Sequence, residues 1–288
     1  MNWSDIADAM FGGIADYGAI LALVSNSVIA GAVLGLVGGL VGVFVMQRDM
    51  AFAVHGISEL SFAGAAFALL IGWDVVTGSI VGSVIAAGLI GWLGARARDR
   101  NSFIGVLMPF GLGLGILFLS LYSGRSANRF SLLTGQIVSV QNAQLGWLIA
   151  ISIVVLLGLL FIWRPLRFDS IDPQSAAARG VPVTAVSLGF MLLLGLIVAV
   201  AIHIIGALLV MALLVTPAAA AMRIASGPWS VPLLAAGFGF VSAVGGILLA
   251  IAGTLPVSPY ITTISFLIYL VCRLVGGRRG RVTRERLA

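Results

Sequence analysis

The run VTAVSLGFMLLLGLIVAVAIHIIGALLVMALLVTPAAAAM, Val183 to Met222, is 40 residues long, and His203 is its only ionisable side chain. One helix crosses a hydrocarbon core of ~30 Å with roughly 20 residues. The run is therefore two membrane helices, folding back near His203 and Gly206, where a polar side chain and a turn-forming residue interrupt it. Outward from this stretch, the same reading gives spans near Val24 to Met46, Ala51 to Gly72, Val75 to Gly94, Ile104 to Tyr122 and Leu145 to Trp163 on one side. Val231 to Ala252 and Ile261 to Val275 follow on the other. A spanning barrel would show short segments of alternating polarity, and these runs are continuously apolar. The expected fold class is all-α, a polytopic membrane protein of eight or nine spans, with Leu132 to Val140 as a candidate half-helix.

Composition agrees, with 60% of 288 residues hydrophobic and 9% charged. All 16 basic residues are arginines, and 14 of them fall on one side of the expected spans. Arg48, Arg96, Arg98, Arg100, Arg164, Arg167, Arg179 and Arg223 occupy alternate loops, and six more lie between Arg273 and Arg286; only Arg125 and Arg129 face the other way. The positive-inside bias makes that side the cytoplasm. The chain is then expected to divide into an extracytoplasmic segment 1–17, a transmembrane body 18–276 and a basic cytoplasmic tail 277–288. Trp3, Ile6, Met10 and Ile14 recur at helical spacing, so residues 2 to 16 are either a helix lying on the outer surface or a frayed terminus. The acidic start does not read as a cleavable signal peptide, and the first span is expected to direct insertion. The basic balance reports topology, and nucleic acid is not an expected partner, because the tail is short and has no interleaved aromatics.

Absences exclude several chemistries. Without lysine, the chain carries no P-loop and no retinal Schiff base. Its two histidines, His55 and His203, lie 148 positions apart, which excludes the H-E-x-x-H zinc motif, and no G-x-S-x-G is present. The single cysteine, Cys272, allows neither an intrachain disulfide nor a thiolate metal site. An enzyme is not expected, and neither is a permanently bound cofactor.

An ionisable group inside the membrane costs at least about 2.5 kcal/mol and marks a pathway or a site. Within the expected spans Glu59 is the only carboxylate, and His55 precedes it by four residues in His55-Gly56-Ile57-Ser58-Glu59. Positions i and i+4 share one helix face. Counted at about 1.5 Å per residue from Arg48, His55 lies about 10 Å and Glu59 about 16 Å deep. Nitrogen and oxygen donors together suit Zn²⁺, Mn²⁺ or Fe²⁺ better than Ca²⁺, Mg²⁺ or Cu⁺. Two ligands bind loosely, as a conduit requires. A packing hydrogen bond between the two residues and a proton relay are the competing readings.

Two further patterns stand out. Gly31, Gly35 and Gly39 repeat every fourth position beside Gly38 and Gly42, and Gly111 and Gly115 repeat that spacing, allowing close helix approach. The cytoplasmic loop after Trp163 is punctuated as a short helix. Asp172 fits its N-cap, Pro173 its first position and Gly180 the residue past its end, leaving Gln174 to Arg179 as a stub.

From about Val28 to Arg273 the chain resembles the permeases of the bacterial zinc/manganese ABC importers. Gly206-Ala207-Leu208-Leu209-Val210, then Ala212-Leu213-Leu214 and Pro217-Ala218-Ala219-Ala220-Ala221, looks like that family's G-x-L-L-V-x-A-L-L-x-x-P-A-A-x-A helix. Asp172-Pro173 with Ala176 and Gly180 is similar to its D-P-x-x-A-x-x-x-G segment, with Gln174 where Glu is frequent. Leu133-Thr134-Gly135-Gln136-Ile137 resembles its L-F-G-D-I element, with two substitutions, and Arg48-Asp49-Met50 its R-R-M turn. Seven residues on from the turn's first position, here Arg48, the family has an Asp, and four further on a His, the pair implicated in metal passage. Here His55 and Glu59 hold those positions in reversed order, which keeps the chemistry and leaves the metal open.

The resemblance implies a multi-pass protein of the bacterial plasma membrane that imports Zn²⁺ or Mn²⁺ as cargo. It implies a second copy of the permease, a separate dimeric ATP-binding subunit docking on Asp172, Pro173, Ala176, Arg179 and Gly180, and an extracytoplasmic metal-binding protein. His203 is either an entrance ligand or a polar turn residue. The rival readings are a permease for metal chelates such as siderophores, an ion-coupled secondary metal carrier, and a membrane scaffold. A wide cavity would favour the first and an inverted repeat the second, while the scaffold leaves His55 and Glu59 unexplained.

Overall fold

The computed structural model describes residues 18, 21, 23–93, 100–124, 140–251 and 257–285. Among them every regular element is helical: α1 Ser25–Gln47, α2 Ala51–Ile71, α3 Val75–Leu93, α4 Arg100–Leu121, α5 Asn142–Ile171, α6 Pro173–Ala178, α7 Val183–Ile205, α8 Ala207–Ile224, α9 Ser230–Ile251 and α10 Val257–Glu285. Eight of these are long and apolar enough to cross a membrane, and the apolar part of α8, Leu209–Ile224, is a shorter ninth. The surface carries Phe161 at 88% exposure, Trp92 at 76% and Val106 at 70%, a cost in water and none against lipid. The 40-residue run does break where expected: α7 ends at Ile205, Gly206 takes φ +82°, and α8 starts at Ala207. The stretches 2–16 and 133–137, most of Leu132 to Val140, and Arg96, Arg98, Arg125 and Arg129 lie outside the described residues.

The chain divides into two compact units. The first comprises residues 1–46, 137–142 and 212–288. Its organising feature is the glycine face of α1. A Cβ on Gly35 would overlap the carbonyl of Gly239, one on Gly39 the carbonyl of Ala235, and one on Gly31 the side chain of Ile247, all on α9. The parallel row meets a different helix: a Cβ on Gly42 would overlap the Leu214 carbonyl, and one on Gly38 would come within 3.2 Å of Leu214 Cδ1, both on α8. The two glycine rows of α1 are thus two backbone-to-backbone contacts, α9 running antiparallel to α1 and α8 parallel. Such approach recovers dispersion energy where lipid leaves no hydrophobic drive between helices. Gly239 answers in kind, since its Cβ would overlap the Gly35 carbonyl. At one end Val43, Ala218, Ala221, Val231 and Ala235 form a buried cluster. At the other Asn26 Nδ2 donates to Val140 O at 3.2 Å and Asn142 Oδ1 at 2.7 Å.

The second unit comprises residues 47–136 and 143–211. Here α2 is central, packing on α3, α4 and α7, while α3 also packs on α7. Gly64, Gly78 and Gly82 bring the α2 and α3 backbones together, and Gly111 and Gly115 of α4 close on Leu60 and Phe62 of α2. Buried hydroxyls supply polar ties. Ser61 and Ser79 meet Oγ to Oγ at 2.7 Å, and Ser79 Oγ donates to Ala199 O at 2.9 Å, so α2, α3 and α7 share one hydrogen-bond chain. In α2, Gly72 at φ +78° ends the helix, with Trp73 N donating to Ala68 O at 2.8 Å. Asp74 then starts α3 by accepting from Thr77 N at 2.8 Å.

Candidate metal path and docking stub

The turn Arg48-Asp49-Met50 separates α1 from α2, and Asp49 sits at φ +53°, where aspartate is among the few tolerated residues. Because α2 starts only at Ala51, the turn contributes no helical rise. His55 then lies about 6 Å and Glu59 about 12 Å into the helix at 1.5 Å per residue, shallower than the count from Arg48 gave. The two side chains do face one another, His55 Nε2 standing 3.6 Å from Glu59 Oε1. That is ion-pair range but too long for a hydrogen bond. Glu59 is 8% exposed in its side chain and His55 30%, so the pair has a closed end and an open one. His55 Nδ1 and Glu59 Oε2 are buried without a hydrogen-bond partner among the described residues, a costly state for polar atoms. Helix α4 fixes this stretch of backbone from the side: a Cβ on Gly111 would stand 3.1 Å from the Glu59 carbonyl carbon.

His203 stands apart from the pair. It lies in the last turn of α7, with Nε2 3.1 Å from Gln144 Nε2 near the start of α5, and its Nδ1 is buried without a described partner. Among the described residues no group of three or more His, Cys, Asp or Glu side chains is placed to hold one metal ion. His55 and Glu59 therefore supply two donors, and His203 is not gathered with them.

The stub forms where its punctuation places it. Helix α6 is Pro173–Ala178, with Asp172 as N-cap accepting from Gln174 N at 3.1 Å and Ser175 N at 3.0 Å. The Ser175 hydroxyl also donates to this carboxylate, and these bonds, the hydroxyl's first, hold the Asp172 pKa below the usual carboxylate range. At the other end Arg179 is the C-cap, Gly180 takes φ +81°, and Val181 N donates to Ala176 O while Gly180 N donates to Ala177 O, each at 3.0 Å. This is a Schellman closure, and Ala176 within it is fully buried. Pro173, Gln174, Ser175, Ala177, Ala178 and Arg179 stay exposed. Ile171 beside them is a 76% exposed apolar side chain.

One feature of this end is not readable from spacing. Arg48 Nη1 donates to Asp169 Oδ2 near the end of α5, and Arg48 Nη2 donates to Ser187 Oγ in α7 at 2.9 Å. The pair is largely withdrawn from solvent, with side-chain exposures of 10% and 1%. In the sequence Arg48 reads as a topology marker, and Asp169 lies six residues past the expected end of its span. The one available signal was an aspartate, three residues before the stub's N-cap, in a loop otherwise rich in arginine.

A model of the ABC 3 transport family matches residues 21–276. The chain belongs to the ABC 3 transport family. It is a membrane permease subunit, multi-pass in the bacterial plasma membrane. Relatives of this ABC 3 member include the manganese transport system membrane protein MntC of Halalkalibacterium halodurans, 29% identical over 256 residues, covering 88% of each chain. The manganese import system permease protein ScaB of Streptococcus parasanguinis is 29% identical over 247 residues, covering 85% of this chain and 88% of its own. Among solved structures, PsaBC from Streptococcus pneumoniae in complex with Fab matches with a TM-score of 0.80 at 27% identity, over 90% of this chain and 95% of that one. An inward-facing conformation of a putative metal-chelate type ABC transporter matches with a TM-score of 0.66 at 19% identity, over 88% and 84%, a likeness of fold alone.

Proposed function

We propose that this permease passes Mn²⁺ into the cytoplasm in an ATP-driven importer, with His55 and Glu59 as the groups that hand the ion through the membrane. Zn²⁺ is the competing cargo and Fe²⁺ a further candidate. The observation that carries the reading is the pair's geometry: two facing donors too far apart to bond each other, each with a buried atom lacking a described partner. A divalent ion with a mixed nitrogen and oxygen shell takes up such atoms, the carboxylate suiting Mn²⁺ and the imidazole Zn²⁺ or Fe²⁺. A two-donor site holds it loosely, so that it is released onward, water or the second permease copy filling the shell. The names of MntC and ScaB support manganese over zinc.

The partners follow from what the chain lacks and exposes. With no lysine it carries no P-loop, so ATP is hydrolysed on a separate dimeric subunit, which docks on the exposed face of α6 through Pro173, Arg179 and Gly180; Ala176, expected among the docking residues, is fully buried and with the Asp172 cap holds the stub's fold. An extracytoplasmic metal-binding protein delivers the ion, and His203 stands at the outer end of α7 as a candidate for first contact. Residues 1–17 are then outside, and the tail 277–288 is cytoplasmic.

The test is uptake of radiolabelled Mn²⁺ and Zn²⁺ by liposomes holding the permease with its ATP-binding subunit. ATP-dependent Mn²⁺ uptake is expected from the wild-type complex. Replacing His55 and Glu59 together with leucine is expected to abolish it while the complex still assembles. Near-normal uptake by that double variant would remove the pair from the path, because no hydrocarbon side chain replaces the lost donors.

A further inference from the structure

Three separate segments converge on the Arg48 guanidinium. Arg48 belongs to the turn that starts α2; its partner Asp169 is in the last turn of α5; and Ser187 is in the second turn of α7. The stub α6 lies in the chain between those two partners, leaving α5 three residues after Asp169 and entering α7 before Ser187. Both roots of the stub are therefore held by one side chain. The stub is also fastened to its first root, since the Arg179 guanidinium lies over the Phe168 ring at 5.6 Å from its centroid, one residue from Asp169. Ala176 is fully buried, so α6 rests on the rest of its unit as one piece.

On the far side of Arg48 the same turn leads directly into α2, where His55 is the fifth residue of the helix and Glu59 the ninth. Helix α2 is held by backbone contacts with α3 and α4, and a displacement at its first turn moves it along its axis or tilts it as a rod. A guanidinium making charge-assisted bonds away from solvent is stiff enough to carry such a displacement, and its fork reaches two partners at once. An exposed pair would be screened and loose. This pair is not: Asp169 is 1% exposed in its side chain.

We propose that the Arg48–Asp169 pair, with Ser187, is the positioning link through which movement of the docking stub α6 shifts α2 and so opens or closes the His55–Glu59 step. This rests on the reading that α6 docks an ATP-binding subunit and that the two residues handle the metal. It adds three positioning residues that touch neither the metal nor ATP. Its consequence is a separation of functions: without the link the ATP-binding subunit still docks and hydrolyses ATP, and metal no longer moves with it.

The experiment measures Mn²⁺ ions taken up per ATP hydrolysed by the reconstituted complex. Three permeases are compared: wild type, the apolar double variant Arg48→Met with Asp169→Leu, and the charge-exchanged Arg48→Asp with Asp169→Arg. Replacing a buried ion pair by apolar residues of similar volume is generally tolerated, so the apolar variant is expected to assemble. Its ATP hydrolysis is expected to stay within about twofold of wild type while the ions moved per ATP fall by at least about tenfold, a factor of ten corresponding to ~1.4 kcal/mol. The exchanged pair is expected to recover part of the ratio. An unchanged ratio in the apolar variant would overturn the link. So would failure of both variants to assemble, which would assign the pair to folding. Absence of ATP-dependent Mn²⁺ uptake by the wild-type complex would instead bring down the function proposed above, so the two failures are distinguishable.

Discussion

The two units bury different things. In the first, residues 1–46, 137–142 and 212–288, the only charges among the described side chains are Arg223 and Arg273, and helices meet through glycine backbones. The second, residues 47–136 and 143–211, also uses glycines but buries Glu59 and Asp169, the latter against Arg48, and ties three helices through Ser61 and Ser79. A membrane interior tolerates ionisable groups only where they are paired or used. Under the proposed function the first unit is the scaffold and the second carries the chemistry, and each assignment can be broken separately.

The largest effect is expected at Gly42. A methyl group there overlaps the Leu214 carbonyl oxygen, and backbone cannot rotate aside as a side chain does. Gly42→Ala is expected to cost at the top of the ~1–3 kcal/mol usual for overpacking, or more. It should show as loss of monodisperse protein after detergent extraction, or as a lower unfolding temperature. Unchanged stability would mean that α1 and α8 separate easily, and the first unit would lose its role as a rigid scaffold.

The second unit is tested by a substitution that leaves packing alone. Glu59→Gln keeps volume and hydrogen-bonding capacity and removes the charge that balances a divalent cation. Uptake of Mn²⁺ is expected to fall at least ~10- to 100-fold, the range seen when even the groups supporting metal ligands are removed. Extraction and assembly should stay normal. The opposite pattern, poor assembly with the surviving fraction transporting normally, would make the pair a packing device and erase the contrast.

Most of the second unit's local geometry was legible in the sequence, and its long-range geometry was not. Asp172, Pro173 and Gly180 announce α6 because capping acts over three or four residues, and the structure moves each boundary by only one. Gly206 breaks the long apolar run for the same local reason. His55 and Glu59 share a face because i and i+4 always do on a helix. The Arg48–Asp169 bond joins positions 121 residues apart, and no periodicity links them. The glycine rows of α1 show the intermediate case. Their spacing promised close contact, but only the fold shows that Gly31, Gly35 and Gly39 meet α9 while Gly38 and Gly42 meet α8.

The stub gives a smaller effect that sharpens the comparison, because its stability depends on caps with few packing contacts. Gly180 stands at φ +81°, and a Cβ added there would meet no atom within 4 Å, so a substitution is opposed by backbone conformation alone. Gly180→Val is expected to cost about 1–2 kcal/mol, the usual penalty for a side chain in the left-handed region. Co-purification of the ATP-binding subunit should weaken while the membrane part stays folded. Unweakened association would remove α6 from the interface. The N-cap adds a sign. Because the Asp172 pKa is lowered by hydrogen bonds from Ser175, its stabilisation of the stub is complete above the ordinary carboxylate range and is lost only as pH falls through the lowered value. Asp172→Asn keeps an N-cap acceptor and should remove that acid dependence, seen as the pH response of the Ser175 amide resonance.

The smallest expected effect tests whether glycine content or glycine placement separates the units. Gly88 in α3 of the second unit and Gly237 in α9 of the first both lie inside helices, and a Cβ on either would meet nothing within 4 Å. If the first unit depended on glycine as a residue type, through backbone freedom that lets its helices bend, then Gly237→Ala would harm it and Gly88→Ala would not harm the second. If it depends on the carbonyls of Gly239, Ala235 and Leu214 lying against α1, both changes are harmless, and each gains the ~0.5–1 kcal/mol by which alanine exceeds glycine in a helix interior. The expected outcome is the second: equal, slightly raised unfolding temperatures for both variants with uptake unchanged. A fall confined to Gly237→Ala would show that α9 needs flexibility at that position, and the first unit could no longer be assigned a purely passive, scaffolding role.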